Sequence, residues 1–371
     1  MGAFFYESHS AVILLYCFVL IVLLSGCMFQ GRLEDDPKDM KPAPNIPVQA
    51  GDLNAIAYGW LDSHTILYSS GKKVHQRQEL ISWNMKTNKK SVFFRNEAPI
   101  SDVKISPSKS FVLVKLSSSK KKAVIEILDH TGKSVYSAAI PSTELTYEWN
   151  PYSDGVLFIS GFNENWTYSS YVADVTRKKM DKVPFPQPFA QWSSKEELLY
   201  LDWDKKNPGQ TAPLMKRNLS SGKTETVMLD IGYFKKWGKG LMTIAASSES
   251  PDKADYIFYN NKGKALSSMS MPLLKTFSDW VIPKMDVIGK TTELITFRPE
   301  RGGDGSGADK HFSLVSFNWK TGKEEELIKH QDNEPLSCSP NGQWCLYGTQ
   351  LENIINMKTN KSYKLFSRKR G

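Results

Sequence analysis

Histidine is scarce in this sequence. There are six in 371 residues, and five of them, His64, His75, His130, His311 and His330, fall beyond residue 27. No two of these five stand two or four positions apart and none lies in an HExxH frame, so the spacing that brings two imidazoles onto one zinc ion is missing. A P-loop, a GxGxxG leading into a helix and a GxSxG elbow are missing too, which leaves phosphate cradling, dinucleotide binding and the hydrolase nucleophile without support. Asp and Glu are plentiful, but they fall in turns and at alternating strand positions, as on solvated faces. The chain is therefore expected to be no enzyme and to hold no metal or cofactor. Beyond the first apolar run no long stretch of helical period occurs, which directs the reading to strands.

Charge is also unremarkable in amount. Forty-eight Lys and Arg against 39 Asp and Glu give a net +9, spread along the chain; the segment to Gly26 carries Glu7 and no basic residue. The densest clusters, Lys120-Lys121-Lys122 and Arg368-Lys369-Arg370, read as a solvated turn and a terminal tail. A nucleic-acid binder concentrates such charge with aromatics on one face, so no nucleic-acid partner is expected. Attraction to anionic lipid or cell-wall polymer is the use that would fit the surplus.

Ala11 to Leu24 is an unbroken apolar run of fourteen residues, followed by Ser25-Gly26-Cys27. The run suits a signal-peptide core and is short of the about 20 residues a spanning helix needs. Leu24-Ser25-Gly26-Cys27 looks like a lipobox, whose small residues fit a peptidase cleft and whose thiol takes the diacylglycerol. The first ten residues lack the usual Lys or Arg, so either the true start differs or the α-amine and His9 serve. An uncleaved anchor over Ala11 to Phe29 is the alternative; both tether the remainder of the chain outside the membrane. Residues 28–51 are polar, with Pro37, Pro42, Pro44 and Pro47, and read as an extended spacer. The expected division is a signal peptide over 1–26, a lipidated Cys27 and Pro-rich tether over 27–51, and one folded domain over 52–371.

That domain repeats itself. A residue closing a short strand recurs at Trp60, Ile105, Trp149, Trp192, Trp237, Trp280 and Cys338, in steps of 45, 44, 43, 45, 43 and 58. An apolar strand follows each, as at Phe111 to Val114 or Leu198 to Leu201, then a third strand and a tight polar turn such as Asp129-His-Thr-Gly132-Lys or Asn318-Trp-Lys-Thr-Gly322-Lys. Gly or Asn supplies the positive φ such a turn needs. A fourth, more polar strand ends the unit. Four strands per roughly 44 residues is the arithmetic of propeller blades. The expectation is an all-β propeller of seven four-stranded blades, with six as the alternative. Because the Trp column recurs at blade period, it reads as a wedge between neighbouring blades rather than an aromatic cage.

Trp149-Asn150-Pro151-Tyr-Ser-Asp-Gly155 and Cys338-Ser339-Pro340-Asn341-Gly342 resemble the W-S-P-D-G turn of TolB-type propeller repeats, with Ile105-Ser106-Pro107 a partial match. With the lipobox and the tether, the chain resembles the YqgU-like propeller lipoproteins of Gram-positive spore-formers. The resemblance rests on architecture, implies a protein-binding platform, and brings no catalytic residues. Propellers of that group are described as six-bladed.

The 58-residue step reflects an insertion in the sixth blade, read as a flexible hairpin tip and the foremost partner-contact loop, with Arg301, Asp304, Asp309 and Lys310 at its tip. Asp304-Gly-Ser306-Gly-Ala308-Asp309 faintly resembles a calcium loop, but Ala308 stands where a ligand oxygen should be and the sixth position is no glycine. Cys338 and Cys345 face each other across a hairpin. A two-residue Asn341-Gly342 turn would make them a hydrogen-bonded pair, a poor register for a disulfide, unless a bulge at Gly342 changes it. A bridge and two buried thiols both remain open.

Function is expected to be that of a membrane-anchored extracytoplasmic scaffold, held by its N-terminal lipid and binding another envelope protein. The alternatives are a propeller enzyme acting on sugars or peptides and a docking protein for anionic wall polymer. What lines the central funnel separates the three.

Overall fold

The computed structural model describes residues 49–50, 55–70, 78–117, 122–204, 206, 209–276, 279–289, 291–305 and 312–367. The expected signal peptide, Cys27 and most of the expected tether lie outside the described residues, as do Asp309 and Lys310. Seven four-stranded antiparallel sheets follow one another in chain order. They are the seven blades, and their innermost strands are Ile56–Trp60, Ile100–Ile105, Glu144–Trp149, Gln191–Trp192, Tyr233–Trp237, Met285–Val287 and Leu336–Cys338.

Successive side chains of a strand point to opposite faces. In the second strand of each blade this splits one apolar run between two neighbours. In blade 2, Val112 and Val114 pack with Leu67 and Leu80 of blade 1, whereas Leu113 between them packs with Leu157 and Ile159 of blade 3. Blade 3 turns Phe158 the other way, onto Leu198 and Tyr200 of blade 4. The rule continues around the molecule, and the seventh interface joins Leu346, Ile354 and Leu365 of the last blade to Trp60, Ile66 and Trp83 of the first. The core is thus seven wedges rather than one central mass, which is why the second strands are continuously apolar instead of alternating.

No blade is shared between the two ends of the chain. The ring is closed by that seventh wedge, by a two-residue parallel pairing of Gln49–Ala50 with Phe366–Ser367, and by the Trp60 indole N–H on the Ser337 carbonyl, 2.8 Å away.

The third-to-fourth-strand turns place positive φ where expected, at Asn88, Gly132, Gly222, Gly263, Gly322 and Asn360. In blade 3 the residue is Lys178, so an ordinary side chain takes that conformation there. Gly132 is required twice over, since a Cβ at this position would lie 1.9 Å from the Phe93 carbonyl oxygen of blade 1.

One of the strand-closing assignments is corrected, and another closing residue faces an unexpected way. In blades 1 to 5 and 7 the residues at 60, 105, 149, 192, 237 and 338 do close the inner strand. In blade 6 that place belongs to Val287, paired with Leu294, and Trp280 lies in the connection before it. There its ring fills the space a Cβ on Gly232 would need, and its Nε1 donates to Gln210 Oε1 at 3.1 Å. In blade 5 Trp237 closes the inner strand as expected, paired with Gly240, but it stands one place beyond the residue that faces the preceding blade. Lys236, paired with Leu241, occupies the column position. Trp237 points instead to the blade 5–6 wedge, edge-on to Trp319 at 5.8 Å, and among the described residues its Nε1 has no hydrogen-bond partner.

The extra chain of blade 6 is correspondingly divided. Part lies between blades 5 and 6 and part between the second and third strands of blade 6, and the two parts pair as parallel strands Leu274–Lys275 and Gly303–Asp304. Gly303 N–H reaches the Leu273 carbonyl at 3.0 Å and Gly305 N–H the Lys275 carbonyl at 2.8 Å. The start of the insertion is therefore tied down rather than a free hairpin tip, because its glycines let the backbone approach a neighbouring strand end.

The Cys338 register is corrected as well. Ser339 N–H donates to the Trp344 carbonyl at 2.7 Å, and Trp344 N–H turns to Ser339 Oγ. This longer turn makes Cys338 and Cys345 a non-hydrogen-bonded pair, where side chains stand closest. Their Cα atoms are 3.9 Å apart and the sulfurs are bonded.

Candidate functional site

An antiparallel four-stranded blade sends its inner and outer hairpin turns to one rim of the ring, here the turn face. Its second-to-third-strand loops and blade connections go to the other, the connection face. The residue just before each column position forms a ring near the axis: Gly59, Lys104, Glu148, Gln191, Lys235, Asp286 and Ser337. Lys104, Glu148, Lys235 and Asp286 come from four blades yet act on one another electrostatically, which places them around the channel.

Burial pushes the Asp286 carboxyl above the ordinary range; the N–H groups of Cys338 and Val287 and the charges of Lys235 and Lys109 oppose this. Its oxygens accept from Cys338 N–H at 2.7 Å and Val287 N–H at 2.9 Å. Glu148 is likewise pushed up by burial, with Lys104 and Lys235 opposing. Lys109 is lowered by burial, held back by Asp286 and aided by Lys104. The ring therefore alternates in sign instead of presenting one charge.

On the turn face Lys236 takes the place of a wedge tryptophan. Its Nζ donates to Tyr152 Oη at 2.6 Å and to the Gly238 carbonyl at 2.9 Å. Burial lowers its pKa to about 8 and raises that of Tyr152 to about 12.

On the connection face the channel widens into a cavity of about 400 Å³ between blades 3, 4 and 5. Its walls are largely aromatic, with Phe158, Phe189, Trp203, Tyr233 and Phe234, and its polar groups are Thr146, Tyr147, Glu148, Gln187 and Gln191. Tyr147 donates its hydroxyl to Asp102 of blade 2, and Gln191 is fixed by bonds to the Phe234 carbonyl and the Lys236 N–H. Gln187 is held by Asp202 and the Trp203 carbonyl. At the rim Phe189 is 65% exposed and Trp166 49%, and both rings rest on Phe162.

Sequence reasoning missed this site. Its signal was the column one residue before each strand end, which appears only when blades 5 and 6 are read in the correct register. Of the expected contact loop, Arg301 is exposed and the Asp304 backbone pairs with Lys275; Asp309 and Lys310 lie outside the described residues. Among the described residues, no three His, Cys, Asp or Glu side chains gather as a metal site would require.

Among known proteins, the uncharacterized lipoprotein YqgU of Bacillus subtilis strain 168 is 26% identical over 361 residues, covering 94% of this chain and 96% of that protein. An uncharacterized protein of Listeria monocytogenes EGD-e, known as a crystal structure, superposes with a TM-score of 0.79 at 22% identity, over 88% of this chain and 99% of that one. The β-propeller domain of the Trilobed protease from Pyrococcus furiosus, described as having an open velcro topology, gives 0.57 at 13% identity, over 85% and 100%. These two structural likenesses speak for the fold alone. A family model for the YqgU-like 6-bladed beta propeller domain matches residues 84–348. That span starts at the end of the third strand of blade 1 and stops after the second strand of blade 7, so a six-bladed description leaves parts of two of these seven sheets outside it. Since the match takes in most of the chain and five blades whole, the chain belongs to the YqgU-like β-propeller family.

Proposed function

We propose that this chain is a membrane-anchored extracytoplasmic propeller that holds another envelope protein on its connection face. Anchoring is supported by Leu24-Ser25-Gly26-Cys27 behind the apolar run and by a relative named as a lipoprotein. The observation that carries the binding role is the mixed lining of the cavity, where exposed Phe189 stands beside fixed amides and hydroxyls and exposed Trp166 adjoins it across Phe162. Aromatic anchors in a polar surround are what protein interfaces use. A wall-polymer dock is less favoured, because Glu148 and Asp286 interrupt the lysines around the channel. Binding rather than catalysis is part of the same reading, since the backbone N–H groups of Cys338 and Val287 occupy Asp286.

Site-specific photo-crosslinking in the native membrane tests it. A photoreactive residue at position 189 should give one adduct of defined mass, and the same residue at Val92, 55% exposed on the outer strand of blade 1, should not. Equal or absent labelling at the two positions would reject the reading.

A further inference from the structure

Glu148 is, among the described residues, the one carboxylate lining the connection-face cavity, and no Lys, Arg or His side chain shares that lining. Among the described residues, no hydrogen bond or ion pair engages its side chain, although its backbone carbonyl accepts the Trp192 indole at 3.1 Å. Lys104 and Lys235 act on it only at longer range. Most other polar groups of the cavity are already committed: Tyr147 to Asp102, Gln191 to the strand of blade 5 and Thr146 to the Pro188 carbonyl. A buried carboxylate that makes no direct ion pair, and that two lysines oppose only at longer range, is costly to keep charged beside aromatic walls.

The chemistry that resolves this is a cation with an organic surface. A carboxylate supplies the counter-charge, and ring faces attract a cation within about 6 Å through their quadrupole. Phe158, Phe189, Trp203 and Tyr233 provide those rings. A bare metal ion is poorly served, since one carboxylate is far short of an oxygen shell. We propose that the cavity receives a lysine or arginine side chain of a protein partner, with its charged head on Glu148 and its stem along Phe189 and Trp203. This rests on the reading of the connection face as a protein-binding surface and names what that surface recognises. Burial raises the Glu148 pKa, in keeping with a carboxylate whose counter-ion arrives with the ligand.

The test uses the whole propeller chain and defined probes. Titration calorimetry and tryptophan fluorescence, with Trp203 as the local reporter, would follow Nα-acetyl-arginine amide, Nα-acetyl-lysine amide and the uncharged Nα-acetyl-glutamine amide. Spermidine, a trication, supplies ammonium groups from a free polyamine. At least one capped cation should saturate, and the glutamine analogue should bind at least tenfold more weakly. Glu148→Gln should lower cation binding at least tenfold with unchanged melting, and Trp203→Phe should weaken it more modestly. Equal binding of charged and neutral probes, indifference to Glu148→Gln, or no saturation by any probe would overturn the proposal. Binding of spermidine with the capped amino acids silent would overturn a protein source. If crosslinking from position 189 persists at full yield in Glu148→Gln, the cation inference fails while the scaffold reading stands; if that crosslink never forms, the scaffold reading itself fails.

Discussion

Trp192 of blade 4 donates its indole N–H to the backbone carbonyl of Glu148 in blade 3, 3.1 Å away. Trp149 does the same to Lys104, and Trp60 to Ser337. One side chain therefore fills a wedge and fixes the main chain beneath a channel residue. Trp192→Ala and Trp149→Ala should each cost about 3–5 kcal/mol in denaturant unfolding, as large core truncations do. Trp280→Ala, in a connection and only half-buried, should cost clearly less. Equal losses at 192 and 280 would contradict the corrected column.

Lys236 predicts a pH dependence with a defined sign. Burial holds its folded pKa at about 8, below the 10.5 of an unperturbed lysine, so the unfolded chain binds the extra proton between those values. Stability should rise with pH across that window through this group. Lys236→Met should flatten the rise when unfolding is followed from pH 7.5 to 10, below the range in which Tyr152 titrates at about 12. A wild type and variant with parallel pH profiles would show that Lys236 keeps its proton throughout.

Removing Glu300 to Asp309 deletes one strand of the small parallel pair, including the Gly303 and Gly305 hydrogen bonds. At about 1 kcal/mol for each backbone bond lost, the deletion should lower stability by about 2 kcal/mol and leave the β circular dichroism in place. An unchanged melting temperature would mean that the pairing contributes nothing.

The bridge between Cys338 and Cys345 closes a short loop, worth about 2–3 kcal/mol on the chain-entropy account. Intact protein should resist alkylation until reduced, and the Cys338→Ser, Cys345→Ser double variant should unfold at correspondingly lower denaturant. Two alkylatable thiols in the unreduced protein would refute the bridge.

Cys27 should take up labelled palmitate, and Cys27→Ser should not. Equal labelling of both would remove the lipobox from the account.

Blade number and turn chemistry were legible in the sequence because each copy repeats the same local demand: a positive φ after a polar turn, and apolar residues on both sides of the second strand. Register was not legible everywhere. A slip of one residue moves a strand's side chains to the opposite face, and in blade 5 the conspicuous Trp237 stands one place beyond Lys236, the true column member. Trp280 misled in the same way, being a large aromatic at nearly blade spacing that packs on Gly232 in a connection. The ring of Lys104, Glu148, Lys235 and Asp286 exists only in the correct register, so it could not be assembled from spacing. The disulfide turned on one local choice, the Ser339 hydroxyl taking the Trp344 N–H and lengthening the turn.

The way the ring closes has a mechanical consequence. First and last blades share no strand, so the seam between them is the place where the circle can part. Gln49–Ala50, lying along Phe366–Ser367, form the strand that precedes blade 1 in the chain. Tension applied to the chain ahead of Gln49 reaches this two-residue pair first and loads it along the strand direction. With only two residues paired, this latch would be expected to open under load before the wedge in which Trp60 and Trp83 pack with Leu346 and Tyr363.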